Sequence, residues 1–390
     1  MKKTKILNYG RQWIDDEDIR GVVQVLKSDF ITQGPRVQVL ENAICEYVGA
    51  KYAVAVSSGT AALHLAVRVL KIERGKTGMT SPNTFVASAN CFLYSDLEPS
   101  FADIDEKTYC ISPEEVKKRI DARTSVIIPV HFGGQPAHME RIHDIASRNN
   151  IYVIEDATHA MGSKYENGAS VGSCYFSQMT VFSFHPIKTI TTGEGGVITT
   201  NQKELYERLS MLRNHGITKD REKFHNRDSK ENEPWYYEMQ DLGFNYRMTD
   251  LQAALGISQL IKCDGFVRRR RKIANDYNNS FGILDWLTIP HVRPGVFSSY
   301  HLYPIKIDFE KIGRTRSEVV SQLKEEGINT QVHYIPVHLQ PYYQKNFRFK
   351  PGDYPQAERY YAQCLSIPLF PKMTDEEVGR VIRAVLRLAP

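Results

Sequence analysis

The stretch Val181 to Thr200 reads VFSFHPIKTITTGEGGVITT. Val181, Phe182 and Phe184 form a strand-like run of β-branched and aromatic residues, and Val197, Ile198, Thr199 and Thr200 form the next one. Lys188 therefore sits on a connection between two core elements. Gly193, Gly195 and Gly196 let that connection take left-handed backbone and come close to a bound group, which only glycine does without steric cost. A β-hairpin carrying a solvated lysine fits the same residues, so the rest of the chain has to decide.

Around this stretch, from residue 50 to about 200, short apolar runs alternate with helical patterns. YAVAV (52–56) precedes TAALHLAVRVL, SVIIPV (125–130) precedes a polar helix through Arg148, and IYVIED (151–156) follows. The alternation predicts an α/β fold, a mostly parallel sheet with helices on both faces. In such sheets ligands collect at the carboxyl ends of the strands. Near residues 220–235 the composition turns polar and charged, which predicts an exposed loop. NYRMTDLQAALGISQL (245–260) resumes a helical period and leads into RRRRK (268–272). Beyond it come the strand-like SSYHLYPIKID, a helix from Thr315 to Glu326, and a last helix capped by Thr374 with Glu377 three residues on. We expect a large domain over 1–262 and a small α+β domain over 263–390, in keeping with the chain's length.

The formal charge of +5 is modest for 390 residues. RRRRK lacks interleaved aromatic residues and reads as a solvated helix face, so no nucleic-acid partner is expected. No run approaches the ~18 apolar residues that a membrane span needs. MKKTKILNYGRQWIDD carries positive charge with no apolar stretch behind it, so the expectation is a soluble cytoplasmic protein without a membrane partner. Cys45, Cys91, Cys110, Cys174, Cys263 and Cys364 lie far apart, with no CxxC or Cys/His ligand spacing. Neither a disulfide framework nor a metal site is expected, and the thiols read as small core residues.

Four loop segments at predicted strand ends carry the chemistry. Ser57-Ser58-Gly59-Thr60 follows YAVAV and opens a helix, offering backbone N–H groups, hydroxyls and a helix dipole to a phosphate, although Ser and Thr are also ordinary N-caps. Asp156 ends IYVIED, in a capping or a functional role. Ser183 lies five residues before Lys188. Phe85, in SPNTFVASAN (81–90), is either a core ring or an aromatic face for a ligand. A phosphate cup, an aromatic face, a buried aspartate and a lysine together match what pyridoxal 5′-phosphate requires.

The motifs ED-A-x-H-A-x-G-S (155–163), SFHPxKxxTTGEGG (183–196) and GFNYRMTDLQAALG (243–256) resemble the DegT, DnrJ, EryC1 and StrS family of sugar aminotransferases. HYIPVHLQPYY (333–343) and SIPLFPKMTDEEV (366–378) resemble that family's C-terminal domain, so the likeness runs in order through nearly the whole chain. The resemblance implies an aspartate-aminotransferase-type fold (fold type I) with a seven-stranded sheet and an active site at a homodimer interface. It makes Lys188 the catalytic lysine that holds pyridoxal phosphate as a Schiff base, Asp156 the partner of the pyridine nitrogen and Phe85 the stacking ring. His159 would lie beside the phenolic oxygen. Ser58, Gly59, Thr60 and Ser183 would hold the phosphate, joined by Asn245 from the other subunit, a residue that also reads as a helix N-cap. Related sugar dehydratases carry histidine in place of Lys188, so lysine argues against dehydration.

The N-terminal stretch resembles the branch that aminates C4 of a UDP-linked 4-keto-6-deoxy-N-acetyl-hexosamine on the route to pseudaminic acid, with L-glutamate as donor and 2-oxoglutarate as product. It implies a substrate site built from Tyr9, Asp29, Phe30, Ile31, Thr32, His185, Tyr246, Arg247, Asn329, Thr330, Gln331, His333 and Tyr334. A dTDP-linked or 3-keto sugar, or a pyridoxal-phosphate-binding regulatory protein without turnover, are the alternatives.

Overall fold

The computed structural model describes residues 6–226 and 233–389. Seven strands form its main sheet: β1 (Tyr52–Val56), β2 (Thr77–Thr80), β3 (Glu98–Phe101), β4 (Thr124–Ile128), β5 (Tyr152–Asp156), β6 (Met179–Ser183) and β7 (Gly196–Thr200). They lie in the order β1-β7-β6-β5-β4-β2-β3. Within this sheet β7 alone runs against its neighbours, β1 and β6, while the remaining pairs are parallel. The architecture is the expected α/β fold of type I.

Successive strand residues point to opposite faces, and here both faces are apolar. Val54, Val126, Ile154, Val181 and Ile198 pack on one side with the helix Gly59–Arg68. Ala53, Ile127, Val153, Phe182 and Val197 pack on the other, against Ile44, Ile142 and Leu260 from three further helices. Coverage on both faces is what a parallel sheet demands, and it leaves the strand ends as the place where loops meet a ligand.

In the charged stretch near 220–235, residues 227–232 lie outside the described residues. Short strands β8 (Ile217–Thr218) and β9 (Glu238–Met239) pair antiparallel at its two ends. The following helix runs unbroken over Asp250–Phe281, with Thr249 as N-cap in a capping box with Gln252. The helical period therefore begins later than its sequence suggests. Asn245 caps nothing; it forms a β-bridge with Asn214.

Cys263, Phe266 and Val267 of this helix belong to the sheet's core. Ile273, Ala274, Tyr277 and Phe281 belong to another core, shared with Leu7, Tyr303, Ile305, Leu365 and Ile367. That second core sits on the antiparallel sheet β10 (Leu287–Thr288), β11 (Tyr303–Ile307) and β12 (Cys364–Ile367). The helices Arg316–Glu325 and Asp375–Leu386 cover it, each opened by a Thr/Glu capping box, at Thr315 and Thr374. We propose this long helix as the element where the two domains, 1–262 and 263–390, meet.

The RRRRK run corrects its sequence reading. An α-helix turns about 100° per residue, so five consecutive residues pass more than once round the axis and one must face inward. Arg270 does, at 1% exposure. Arg269 pairs with Asp375 at 2.6 Å, Lys272 with the same carboxylate at 3.0 Å, and Arg271 lies 3.9 Å over the Phe297 ring. The run ties the long helix to the C-terminal domain. Five of the six cysteines are buried, Cys45 is partly so, and all are unpaired thiols. Among the described residues no helix is long and apolar enough to cross a membrane.

Two helices are locked to β1 by one buried ion pair. Glu41, in the helix Arg36–Val48, accepts from the Ala55 amide at 2.8 Å and pairs with Arg213 at 2.5 Å, and Arg213 also donates to the Ala55 carbonyl at 2.8 Å. Glu41→Leu strands a largely buried cation and is expected to cost about 3 kcal/mol, whereas Glu41→Leu with Arg213→Met should recover most of it. Thermal and denaturant melts of both variants check this; equal losses would show that the pairing itself matters little.

Candidate active site

Loops at the carboxyl ends of β1, β2, β5 and β6 converge on a cavity of about 520 Å³. Asp156, the last residue of β5, faces it and is 3% exposed. Ser88 Oγ donates to one carboxylate oxygen at 2.6 Å and the Thr158 amide to the other at 3.1 Å. One residue earlier, Glu155 points the opposite way into a dry polar knot. It accepts from His131 at 2.8 Å, Tyr165 at 2.6 Å, Ser177 at 2.6 Å and Thr180 at 3.2 Å. Burial alone would raise the Glu155 pKa, but the hydrogen bonds led by His131 outweigh it and hold the carboxyl below its ordinary value. The His131 amide also donates to the Asp156 carbonyl at 3.0 Å. The strand end that presents Asp156 is thus fixed from both sides.

Lys188 lies on the β6–β7 connection and faces the same cavity. The strands do form the antiparallel hairpin that its sequence allows, but the lysine is half-buried in the cavity wall and does not stand out in solvent. Burial pushes its pKa down, the Asp156 carboxylate partly opposes this, and the result is about 8. The connection is held by its own polar groups: the Thr191 hydroxyl donates to the Phe184 carbonyl at 2.9 Å, and the Lys188 amide to the His185 carbonyl at 2.8 Å. Of its three glycines only Gly193 has a positive φ, +80°. Gly196 instead permits close approach, since a Cβ there would lie 2.7 Å from the Ser58 carbonyl oxygen.

Ser58 does cap the helix Gly59–Arg68, accepting from Ala61 N at 3.1 Å. The amides of Gly59 and Thr60, in the first turn, have no acceptor inside the helix and border the cavity beside Ser183. This is an anion cup by geometry and dipole. Phe85 is 59% exposed rather than a core ring, and it too lines the cavity. His159 is buried, with the Gly133 amide 3.3 Å from Nδ1 and the Tyr334 hydroxyl 3.1 Å from Nε2. Tyr9, His185, Gln331, His333 and Tyr334 complete the wall, so both ends of the chain reach it. Cup, carboxylate, ring and amine surround one volume, and this donor set fits pyridoxal phosphate.

The remaining expected residues do not reach this cavity. Asp29, Phe30, Ile31 and Thr32 precede Gly34 and Arg36, whose amides donate to Asp250 at 2.8 Å each. Tyr246 bonds His64 at 3.1 Å, and Arg247 donates to Asn214 at 2.6 Å, near Asn245. Asn329 donates to Asn8 at 2.8 Å, and Thr330 follows it. Conversely, Ser88 and Thr158, which grip Asp156, carry no distinguishing signal in the sequence. Ser88 sits three residues after Phe85 in the quoted motif, but only the fold turns it toward β5.

The fold and this site define a class, and comparison with known proteins agrees. The chain belongs to the DegT/DnrJ/EryC1/StrS aminotransferase family, whose model matches residues 12–386. It is a pyridoxal-phosphate-dependent sugar aminotransferase. It is 42% identical to the spore coat polysaccharide biosynthesis protein SpsC of Bacillus subtilis, over 98% of this chain and 97% of that one. It resembles the structure of Helicobacter pylori PseC, an aminotransferase of pseudaminic acid biosynthesis, with a TM-score of 0.90 and 32% identity over 98% of this chain and 99% of that one. The pyridoxal-phosphate form of a putative sugar aminotransferase, Spr1654 of Streptococcus pneumoniae, matches with a TM-score of 0.88 and 28% identity, over 99% and 100% of the two chains.

The lowered Lys188 pKa has a stability consequence. Between its value of about 8 in the folded chain and roughly 10.4 in the unfolded chain, the unfolded state binds more protons, so stability rises with pH across that window. Below it the cost of burying the charge is fully present. Lys188→Met should therefore raise the melting temperature of cofactor-stripped protein at about pH 7, with the gain shrinking toward about pH 10. A pH-independent gain would mean that the amine is not desolvated.

Proposed function

We propose that this enzyme moves the amino group of L-glutamate to the C4 ketone of a UDP-linked 4-keto-6-deoxy-N-acetyl-hexosamine. The observation that carries the reaction is the buried Lys188 amine sharing one cavity with the Asp156 carboxylate. The likeness to PseC over almost the entire chain supports the sugar. When bound, pyridoxal phosphate supplies the electron sink that lets an amino acid's α-hydrogen leave as a proton. Lys188 would hold it, Asp156 would face its ring nitrogen, Phe85 its ring and His159 its phenolic oxygen. Ser58, Gly59, Thr60 and Ser183 would take its phosphate.

The chain's own residues do the positioning and the proton work. An amine with a pKa near 8 is partly neutral at physiological pH, so Lys188 can take the donor's α-proton and later give one to the sugar carbon that receives nitrogen. Asp156, held by Ser88 and Thr158, keeps a carboxylate where positive charge must be stabilised. Tyr9, His185, Gln331, His333 and Tyr334 face the space left for the sugar.

Asp29–Thr32 and Asn245–Arg247 lie on segments that meet at Asp250, the residue that binds the Gly34 and Arg36 amides and donates its own N–H to the Ile31 carbonyl. In the proposed homodimer this cluster, Asn245 included, completes the partner's cavity, while Asn329 and Thr330 adjoin Gln331, which lines the cavity of its own chain. Among the described residues no helix is long and apolar enough to cross a membrane, which is compatible with the cytoplasmic placement that we propose. A second reading, amination of another nucleotide keto-sugar, is favoured by the similarity to SpsC.

Glutamate with a panel of UDP- and dTDP-linked 3-keto and 4-keto sugars, scored by 2-oxoglutarate release and product NMR, tests the substrate. Fastest turnover with any other sugar selects the second reading, and no release with any of them rules out every sugar of the panel as the substrate. Asp156→Asn is expected to retain cofactor and lose on the order of 10² in turnover; near-normal turnover would leave Asp156 a structural role only. Mixing Lys188→Ala with an Asn245→Ala variant should restore part of the activity, because some mixed dimers regain one intact site. If subunits exchange and no activity returns, Asn245 does not act across the interface.

A further inference from the structure

One arginine of the RRRRK run and a pair of buried imidazoles meet behind the cavity wall. The His159 ring packs on His301 with centroids 4.4 Å apart and planes at 36°. His301 is 3% exposed and its Nδ1 has no hydrogen-bond partner. Its carbonyl accepts from Arg270 Nη1 at 3.1 Å, and the same nitrogen donates to the Leu369 carbonyl at 2.8 Å. Arg270 is itself buried, and no carboxylate among the described residues pairs with it. From the other side, Ser299 Oγ donates to the His159 carbonyl at 3.2 Å and the Leu302 amide to the Gly133 carbonyl at 3.3 Å. Between these two anchors Tyr300 holds φ at +49°. A non-glycine residue keeps that backbone only where its surroundings over-determine it, and such residues cluster at functional sites.

The hydrogen bonds determine where the His159 proton sits. An amide N–H can only donate, so Nδ1, 3.3 Å from the Gly133 nitrogen, must be the bare acceptor. Nε2 then carries the proton and donates to the Tyr334 oxygen at 3.1 Å, which leaves the Tyr334 O–H to point elsewhere. A second proton on His159 would set Nδ1–H against the Gly133 N–H and place another cation near Lys188.

We propose that His301, anchored by Arg270, is a positioning residue that keeps His159 dry, neutral and protonated at Nε2 alone. The inference rests on the catalytic reading of this cavity and adds to it the device that holds one of its walls. The charged groups that act on His159 are Lys188 and His333, and those that act on His301 are His159, Lys188, Arg270 and His333. Burial first, and these groups after it, push both imidazoles well below the usual histidine value.

The test reads His159 directly, by imidazole ¹⁵N NMR of histidine-labelled holoenzyme, with the signal assigned through its loss in His159→Gln. Wild-type protein should show a bare Nδ1 and protonated Nε2, unchanged from about pH 5.5 to about 8, a window spanning histidine's ordinary pKa of roughly 6.5. A wild-type His159 that titrates there, or that carries its proton on Nδ1, overturns the proposal without any substitution at His301. His301→Ala admits water, so His159 should titrate near 6.5 and the ratio of mutant to wild-type kcat should fall roughly tenfold from about pH 7.5 to about 5.5. His301→Phe, which keeps a flat ring and a dry wall, should retain the wild-type pattern. A folded His301→Ala protein with a flat kcat ratio and a non-titrating His159 also overturns it. Loss of turnover in the wild type itself would instead count against the catalytic reading, which the imidazole signals do not depend on.

Discussion

A lysine amine and an aspartate carboxylate in one cavity set the terms for the rest of this fold. In water the amine would be charged well above neutral pH and useless as a base. Burial brings it to about 8, and the nearby carboxylate limits the descent. A balance of this kind holds only if neither group can swing out to water. The structure meets that condition by placing Asp156 at the end of one central strand and Lys188 on the connection that leaves the next. β5 and β6 lie inside the sheet, flanked by β4 and β7. Fraying either strand end would therefore mean breaking ladders on both sides.

The alternation along β5 divides the work between adjacent carboxylates. Glu155 and Asp156 point to opposite faces because strand side chains alternate. Glu155 spends its oxygens on His131, Tyr165, Ser177 and Thr180 and is saturated. Asp156 accepts from Ser88 and Thr158 and still borders the cavity. A buried carboxylate without donors would neutralise itself by taking up a proton. The first is thus a built-in anchor, and the second is left able to answer a positive charge in a ligand.

The parts of this arrangement that repeat a local rule were legible in the sequence. Strand periodicity located β1, β4, β5 and the β6–β7 hairpin, and the Thr/Glu spacing located the caps at Thr315 and Thr374. The motif residues Lys188, Asp156, Phe85 and His159 do come together. What failed were features decided by three-dimensional neighbours. Arg270 carries the same charge as its neighbours in RRRRK, and only the angle of the long helix against Leu369 and His301 sends it inward. Asn245 and Thr249 are both good cap residues, and the bridge to Asn214 settles which one the helix uses. Ser88 is an ordinary helix serine until β5 is laid beside it.

The cavity wall is built from two kinds of support, and this bears on how specificity can vary within one fold. The cup, the lysine and the aspartate come from the main sheet, whose strand ends are fixed by ladders and by two packed faces. Tyr9, Gln331, His333 and Tyr334 come from segments attached to the second core, through Leu7 and through Ser366 of β12, which bonds His333 at 2.9 Å. A substitution in this second group can reshape the space opposite the amine without touching the hydrogen bonds that hold Asp156. The wall opposite the amine thus draws part of its support from the second core, while the Tyr9 and Tyr334 rings also pack on the first.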